Sequence, residues 1–171
     1  MAVGNTWNYW RYGNDKEEVV ITNKIQDAFF VDRKLYLGDS TPVILTTADA
    51  FRNLMLLRIG DGGQDLYRKP MIICKFPLVL NGSWNYETDG GVKHKCKYTK
   101  YIDSLLVQNK YYYNIILIED WSFVKKTPLH FLNYYAKNIG LIKQELEMEN
   151  HTVRSMEELE SFQKLKPFQS N

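Results

Sequence analysis

The residues that could perform chemistry in this chain are few and widely spaced. There are three histidines, His94, His130 and His151, and two cysteines, Cys74 and Cys96. His94 and Cys96 lie two positions apart and could share one face of a strand, but a closed zinc site needs four donors and none is spaced to join them. We therefore predict no metal ion and no cofactor, and we assign His94 and Cys96 to the surface of a lysine-rich strand.

Acid–base catalysis has a single candidate set, His130 with Glu119 and Asp120. Adjacent side chains on a strand point to opposite faces, so Glu119 and Asp120 cannot act together on one substrate. The sequence contains no Gly-rich phosphate loop and no nucleophile elbow. We assign no catalytic residue. A hydrolase or isomerase stays the minor alternative, and it requires His130 to meet a carboxylate in a cleft.

Aromatic side chains offer a second kind of chemistry, stacking against a ligand. The consecutive tyrosines Tyr111–Tyr113 must point rings to both faces of a strand, so at least one ring is expected at the surface. Together with Lys93–Lys97, this run has no close copy elsewhere in the chain, which makes it the favoured place for a site. The predicted ligand-contacting residues are Tyr111, Tyr113, Tyr134 and His130.

The chain contains two similar halves. The run Gly4–Tyr9 returns as Asn81–Tyr86, and Thr22–Leu37 matches Tyr98–Tyr113. A third block that begins at residue 51 matches one that begins at residue 131. Three blocks in the same order predict an internal duplication of a unit roughly 75 to 80 residues long. The boundaries are 3–76 for repeat one, 80–163 for repeat two and 164–171 for a tail, all within one domain.

Each half opens on an aromatic pair, Trp7 with Tyr9 and Trp84 with Tyr86. Residues two apart on a strand share a face, so each pair could form a platform for a carbohydrate ring. Large aromatic side chains more often dominate the energetics of a core. We interpret both pairs as structural anchors of the two halves.

The elements that must position these residues are predicted to be strands. The apolar, β-branched stretches Val19–Ile25 and Phe29–Leu37 indicate two paired strands. Phe51–Ile59 leads into a reversal at Gly60–Gly63, and with the chain that resumes at Leu66 it is predicted to form a hairpin. Thr127–Gly140 carries both helix signals and strand signals, and the duplication favours a strand.

Composition supports a β-rich chain. Twelve of the 171 residues are tyrosine, and the aromatic content of 14% favours pleated, half-buried surfaces. We expect strand as far as about Phe162. The predicted fold is mainly antiparallel β, with two similar units that form one strongly curved sheet or an open, barrel-like clam.

Charge and hydropathy exclude several classes of protein. The net charge is +2, from 22 basic and 20 acidic residues, which argues against a nucleic-acid partner. No apolar run reaches the roughly 18 residues of a membrane-spanning helix.

Cys74 and Cys96 are not equivalent positions in the two repeats, and we expect free thiols. Because the first motif starts almost at once, we expect Met1 and Ala2 to replace an export signal; a natural cytoplasmic start is the alternative.

Three segments carry a resemblance to a known family: Val3–Tyr9, Phe76–Tyr86 and Tyr134–Lys143. They are similar to the repeated Gly-x-x-Trp-x-Tyr motifs and to a late Tyr-x-Ala segment of uncharacterised cell-envelope lipoproteins of Bacteroidetes type. The resemblance implies a curved antiparallel sheet, an exported location and a lipid anchor on the full-length product. It implies no established enzyme activity and supplies no functional residues.

The sequence thus predicts a non-enzymatic exported or envelope-associated protein. Its predicted role is to bind an apolar or amphipathic small molecule, or an envelope protein, on a concave β surface, because such concavities are common ligand sites. A structural interaction protein without a small ligand is the alternative.

Overall fold

A computed structural model describes residues 2–12, 15–25, 28–37, 41–52, 55–60, 66–124, 127–148, 150 and 152–164. These residues form twelve strands. In chain order the strands are β1 (Thr6–Arg11), β2 (Lys16–Ile25), β3 (Ala28–Tyr36), β4 (Val43–Arg52), β5 (Met55–Gly60), β6 (Leu66–Lys75), β7 (Ser83–Glu87), β8 (Lys93–Val107), β9 (Lys110–Val124), β10 (Thr127–Ala136), β11 (Gly140–Glu147) and β12 (Val153–Gln163). Among the described residues, no helix is long and apolar enough to cross a membrane.

All twelve strands belong to one antiparallel sheet in the order β6-β5-β4-β3-β2-β1-β12-β11-β10-β9-β8-β7. The first six strands form one meander and the last six form another, and the two join where β1 pairs with β12, with Thr6 opposite Gln163. The predicted fold class, a mainly antiparallel and strongly curved sheet, is confirmed. The internal duplication and its boundaries stay a prediction.

The sheet curls until its two edges meet. β6 and β7 are the edge strands, yet they are consecutive in the chain. The indole Nε1 of Trp84 on β7 donates to the Ile72 carbonyl on β6 at 3.1 Å. Farther along, Lys69 donates its backbone N–H to Asp89 at 2.9 Å and its Nζ to Glu87 at 2.7 Å. Side chains therefore bring the edges together, and the sheet has the shape of a nearly closed barrel.

Two apolar clusters account for most of the buried side chains. The main cluster consists of Tyr9, Val19, Ile21, Val31, Val107, Tyr112, Ile115, Ala136, Ile142 and Leu159. The second consists of Cys74, Trp84, Cys96, Tyr98 and Ile118. The alternation of buried and exposed residues along the strands follows the period of two expected for a sheet with one face on the core. Cys74 and Cys96 are free thiols.

The long β8–β9 hairpin folds over one end of the sheet. Val107 and Tyr112, close to its turn, share the main cluster with Val19 on β2, which is several strands away in the sheet order. The turn itself uses Gln108 and a neighbouring asparagine at positive φ. Gln108 then donates to Glu158 on β12 at 2.6 Å, which ties the turn to the second meander's last strand.

The predicted hairpin around Gly60–Gly63 corresponds to β5 and β6, which pair antiparallel with Gly60 opposite Leu66. Its first strand begins at Met55 and not at Phe51, because β4 ends at Arg52, which lies opposite Met55 in an antiparallel pair. Ala50 on β4 lies directly opposite Leu57 on β5, and both are buried in a third apolar cluster with Ile59. Burial of these side chains stabilises the pairing of the two strands.

Other predicted elements agree with the structure. The strands predicted over Val19–Ile25 and Phe29–Leu37 are β2 and β3, and the segment Thr127–Gly140 forms β10 and the turn into β11 rather than a helix. β12 reaches residue 163, close to the predicted end. Most of the predicted Gly60–Gly63 reversal lies outside the described residues, as do His151 and residues 165–171 of the predicted tail.

Candidate functional site

A depression of about 350 Å³ opens beside the turn of the β8–β9 hairpin. Three segments that are distant in sequence form its walls: the start of β9, the turn between β10 and β11, and the end of β12. The lining residues are Lys110, Tyr111, Tyr112, Tyr113, Asn114, Lys137, Asn138, Ile139 and Phe162. This volume lies at the small end of the range for ligand sites, which is roughly 300 to 1,000 Å³.

Strand alternation explains how the tyrosines are placed. Tyr112 is 4% exposed and belongs to the main core cluster, whereas Tyr111 and Tyr113 are 60% and 63% exposed. The prediction that at least one of the three rings lies at the surface is confirmed. Two of the four predicted ligand-contacting residues, Tyr111 and Tyr113, line the depression.

The aromatic pair on β1 braces the back of the depression. Trp7 stacks on Phe162 with ring centroids 5.1 Å apart, and its Nε1 donates to the Ile139 carbonyl at 2.8 Å. The Tyr9 hydroxyl donates to the Leu141 carbonyl at 3.0 Å. Burial raises the pKa of Tyr9, so the hydroxyl stays protonated and keeps this donor role. These contacts support the interpretation of Trp7 and Tyr9 as structural anchors.

Two asparagines shape the rim. Asn114 and Asn138 adopt φ values of 54° and 65°, in the left-handed region that asparagine tolerates better than most residues. The Asn114 carbonyl accepts from the Lys137 backbone N–H at 3.3 Å, and its side-chain Oδ1 accepts from the Tyr101 hydroxyl at 2.5 Å. The asparagine thus connects the hairpin to the β10–β11 turn, and the rim is tied together by hydrogen bonds.

The lining of the depression combines apolar rings with positive charge. Lys110 and Lys137 are both exposed, and Lys110 Nζ lies 5.9 Å from the centroid of the Tyr112 ring. The residues that line the depression include no aspartate or glutamate. Such a surface suits a ligand with an apolar part and a negative charge. Within the described part of the chain, no group of three or more His, Cys, Asp or Glu side chains is arranged to hold a metal ion.

The other two predicted ligand-contacting residues do not line the depression. The Tyr134 hydroxyl donates to Glu145 at 2.8 Å. His130 stacks on Trp121 with centroids 4.5 Å apart, and its ring nitrogens face two carboxylates, Nε2 to Glu119 at 2.9 Å and Nδ1 to Glu147 at 2.5 Å. Whether either residue contacts a ligand stays a prediction.

The same geometry bears on the acid–base alternative. His130 does meet a carboxylate, as that alternative requires, but carboxylates occupy both ring nitrogens and an indole covers one ring face. In this arrangement neither nitrogen is free to exchange a proton with a substrate. Asp120 takes no part, because it lies on the opposite face of β9 and contacts His94 Nδ1 at 3.0 Å. The predicted separation of Glu119 and Asp120 onto opposite faces is confirmed.

The surface assignment of His94 and Cys96 is wrong. Cys96 is 3% exposed, and His94 stacks on Tyr86 with ring centroids 4.4 Å apart. Lys93 and Lys95 alternate with them and are exposed, so the lysines occupy one face of β8 and the histidine and cysteine the other. The alternation is present in the sequence, whereas the density of lysines alone suggests that the whole strand is exposed.

A buried group of charges at the β1–β12 junction was missed by the sequence reasoning. Glu17 is 3% exposed and lies 3.1 Å from Arg33 Nη1 and 3.4 Å from Arg11 Nη1. Glu157, 7% exposed, lies 3.7 Å from Arg11 Nε. Burial, followed by the charge of Glu17, raises the pKa of Glu157 to about 7. Glu17 could have been found because it shares the period-two face of Val19.

Comparisons with known proteins give a likeness in fold. No family model matches the chain, and no curated protein matches it. A crystal structure from Bacteroides fragilis described as a "putative exported protein with YmcC-like fold" superposes with a TM-score of 0.57 at 9% identity, covering 95% of this chain and 97% of that one. A "putative lipoprotein" from Parabacteroides distasonis superposes with a TM-score of 0.57 at 12% identity, covering 95% and 96%.

The chain shares the fold of these two proteins. Both come from Bacteroidetes, and the predicted resemblance is supported at the level of fold. Coverage is nearly complete in both directions, which means that the whole twelve-stranded sheet takes part in the likeness. The repeated Gly-x-x-Trp-x-Tyr motif stays a prediction.

Proposed function

We propose that this protein is a non-enzymatic, envelope-associated binding protein whose ligand is a small anionic amphiphile. The observation that carries the proposal is the depression beside the β8–β9 turn, where exposed aromatic rings and two lysines face one space without an acidic side chain in the lining. Rings supply apolar contact area, and the lysines favour a negative head group. The names of the two structural neighbours support an exported location.

The ligand is expected to lie with its apolar part on the rings of Tyr111, Tyr113 and Phe162. Its charged group then lies near Lys110 and Lys137, which border the same space. The braced back wall, formed through Trp7 and the Ile139 carbonyl, holds the surface in place before binding, and a preformed surface loses less entropy on binding. An enzyme is disfavoured because both ring nitrogens of the half-buried His130 face carboxylates.

Binding of three ten-carbon amphiphiles tests the proposal. Isothermal titration with decanoate, decyl maltoside and decyltrimethylammonium, each below its micellar concentration, should show the highest affinity for decanoate. Replacing both Lys110 and Lys137 by glutamine should weaken decanoate binding about tenfold and leave decyl maltoside unchanged, because only the charge term is lost. Replacing Tyr111 and Tyr113 by serine should weaken the binding of both decanoate and decyl maltoside about tenfold or more, because apolar contact is lost.

Matched controls lie on the same hairpin at its opposite end. Lys95→Gln and Phe123→Ser change an exposed lysine and an exposed aromatic residue that do not line the depression, and they should leave every affinity unchanged. Equal affinities for the three head groups would contradict the charge argument. Absence of binding by all three would overturn the proposal and favour an interaction protein without a small ligand.

A further inference from the structure

The outer face of the β8–β9 hairpin exposes several large apolar side chains close together. Leu106, Tyr111, Tyr113 and Tyr101 are 50% to 63% exposed. Leu106 lies directly opposite Tyr111 in the strand register, so two of them form a cross-strand pair. Single exposed apolar residues are common on protein surfaces, whereas adjoining ones mark interaction sites.

The chemistry of this face fits a lipid surface. Tyrosine is enriched at the interface between bilayer and water, where its ring lies among head groups and its hydroxyl stays hydrated. Lys100, Lys110 and Lys137 are exposed around the hairpin, against one exposed acid on it, Asp103. Lysines near a membrane are attracted to anionic lipids.

A second exposed apolar stretch lies farther from the hairpin turn. The link between β6 and β7 exposes Leu78, Val79 and Leu80 by 42% to 60%, and it lies beside β8 where the Asn81 backbone N–H donates to the Tyr98 carbonyl at 2.8 Å. The chain enters β1 next to the depression, since Trp7 stacks on Phe162 in its wall.

We infer that this end of the sheet docks on an anionic lipid bilayer, with the turn of the β8–β9 hairpin among the head groups. The depression then opens toward the membrane, and its amphiphile comes from the lipid layer. That last step rests on the proposed function, whereas the docking itself stands on the exposed rings and lysines.

Sedimentation with vesicles tests the inference. The protein should bind vesicles of phosphatidylcholine mixed with phosphatidylglycerol and bind pure phosphatidylcholine vesicles far more weakly. Lys110→Gln and Lys137→Gln should each lower the partition coefficient about fivefold. Leu106→Ser combined with Tyr111→Ser should lower it about tenfold. Raising the salt concentration should weaken the binding, because the charges are exposed.

The controls are again Lys95→Gln and Phe123→Ser, which should bind vesicles like the unchanged protein, and circular dichroism should show every variant folded. Equal binding to neutral and anionic vesicles, or no vesicle binding at all, would overturn the inference. Decanoate binding without vesicle binding would overturn the docking and leave the proposed function standing. Vesicle binding without decanoate binding would support the docking and reject the proposed function.

Discussion

Replacing Trp84 by alanine should lower the free energy of unfolding by about 3 to 5 kcal/mol, as expected for removal of a large aromatic side chain from a core. Trp84 is 6% exposed, packs on Tyr98 with ring centroids 5.0 Å apart, and donates to the Ile72 carbonyl. That hydrogen bond crosses from β7 to β6, where the edges of the sheet meet. Urea unfolding of the variant and the unchanged protein measures the loss.

Two further variants show how much of the lost stability comes from side-chain volume and how much from the hydrogen bond, and whether any tryptophan removal has the same effect. Trp84→Phe keeps most of the apolar volume but leaves the Ile72 carbonyl without its donor, and should cost about 1 kcal/mol more than repacking alone. Trp10→Ala removes an equally large side chain from β1. It should lower the free energy of unfolding much less than Trp84→Ala does, since Trp10 is only partly buried.

Local opening supplies a second readout for Trp84. Hydrogen exchange of the β6 amides should accelerate in Trp84→Ala more than exchange in β1 and β12, because the contact it removes lies between β6 and β7. A loss below 1 kcal/mol, or uniform exchange across the sheet, would contradict the role assigned to this residue.

Glu157→Gln should remove a pH dependence of stability. Burial and the nearby Glu17 raise the pKa of Glu157 in the folded state to about 7, above the ordinary value of 4.5. Between those two pH values the folded state holds more protons than the unfolded state, so raising the pH through this window destabilises the fold. The loss is on the order of 2 to 3 kcal/mol. Glutamine imitates the protonated carboxyl at every pH, so the variant should not lose this stability as the pH rises.

The measurement is the difference in unfolding free energy between variant and unchanged protein from pH 4 to 8. The difference should grow in favour of Glu157→Gln as the pH rises. Because both proteins contain the other carboxyls, taking the difference cancels the contribution of their titration. Glu160→Gln, on the same strand but exposed, is the matched control. A flat difference for Glu157→Gln as well would mean that its carboxyl titrates normally in the folded protein.

Much of the local structure follows from the residues themselves. Alternation along Tyr111–Tyr113 predicts that the middle ring lies on the opposite face from the other two once a strand is assumed, and the strand over β10 is predicted from the match between the halves. Local signals failed where a choice depended on a partner. The start of the strand before the Gly60–Gly63 reversal is such a choice, and only the pairing of β4 with β5 shows that a separate strand begins at Met55.

Some residues of the candidate site could be predicted from the sequence, but which residues lie together in it could not. Tyr111 and Tyr113 are recognisable as exposed aromatic residues. Lys137 becomes their neighbour through the pairing of β9 with β10, whereas Ile139 and Phe162 become their neighbours only because the hairpin turn comes close to β12. No local pattern records that approach, because it depends on the curvature of twelve strands.

Strand content, the antiparallel class and the period-two faces were therefore set by local residue chemistry, which acts over a few positions and can be read directly. Which face turns inward, and which distant residues meet, were decided by closure of the sheet. His94 and Cys96 show the first limit, since the same alternation with lysine allows either face to be buried. Glu17 and Glu157 show the second, because their contact requires β1 to pair with both β2 and β12.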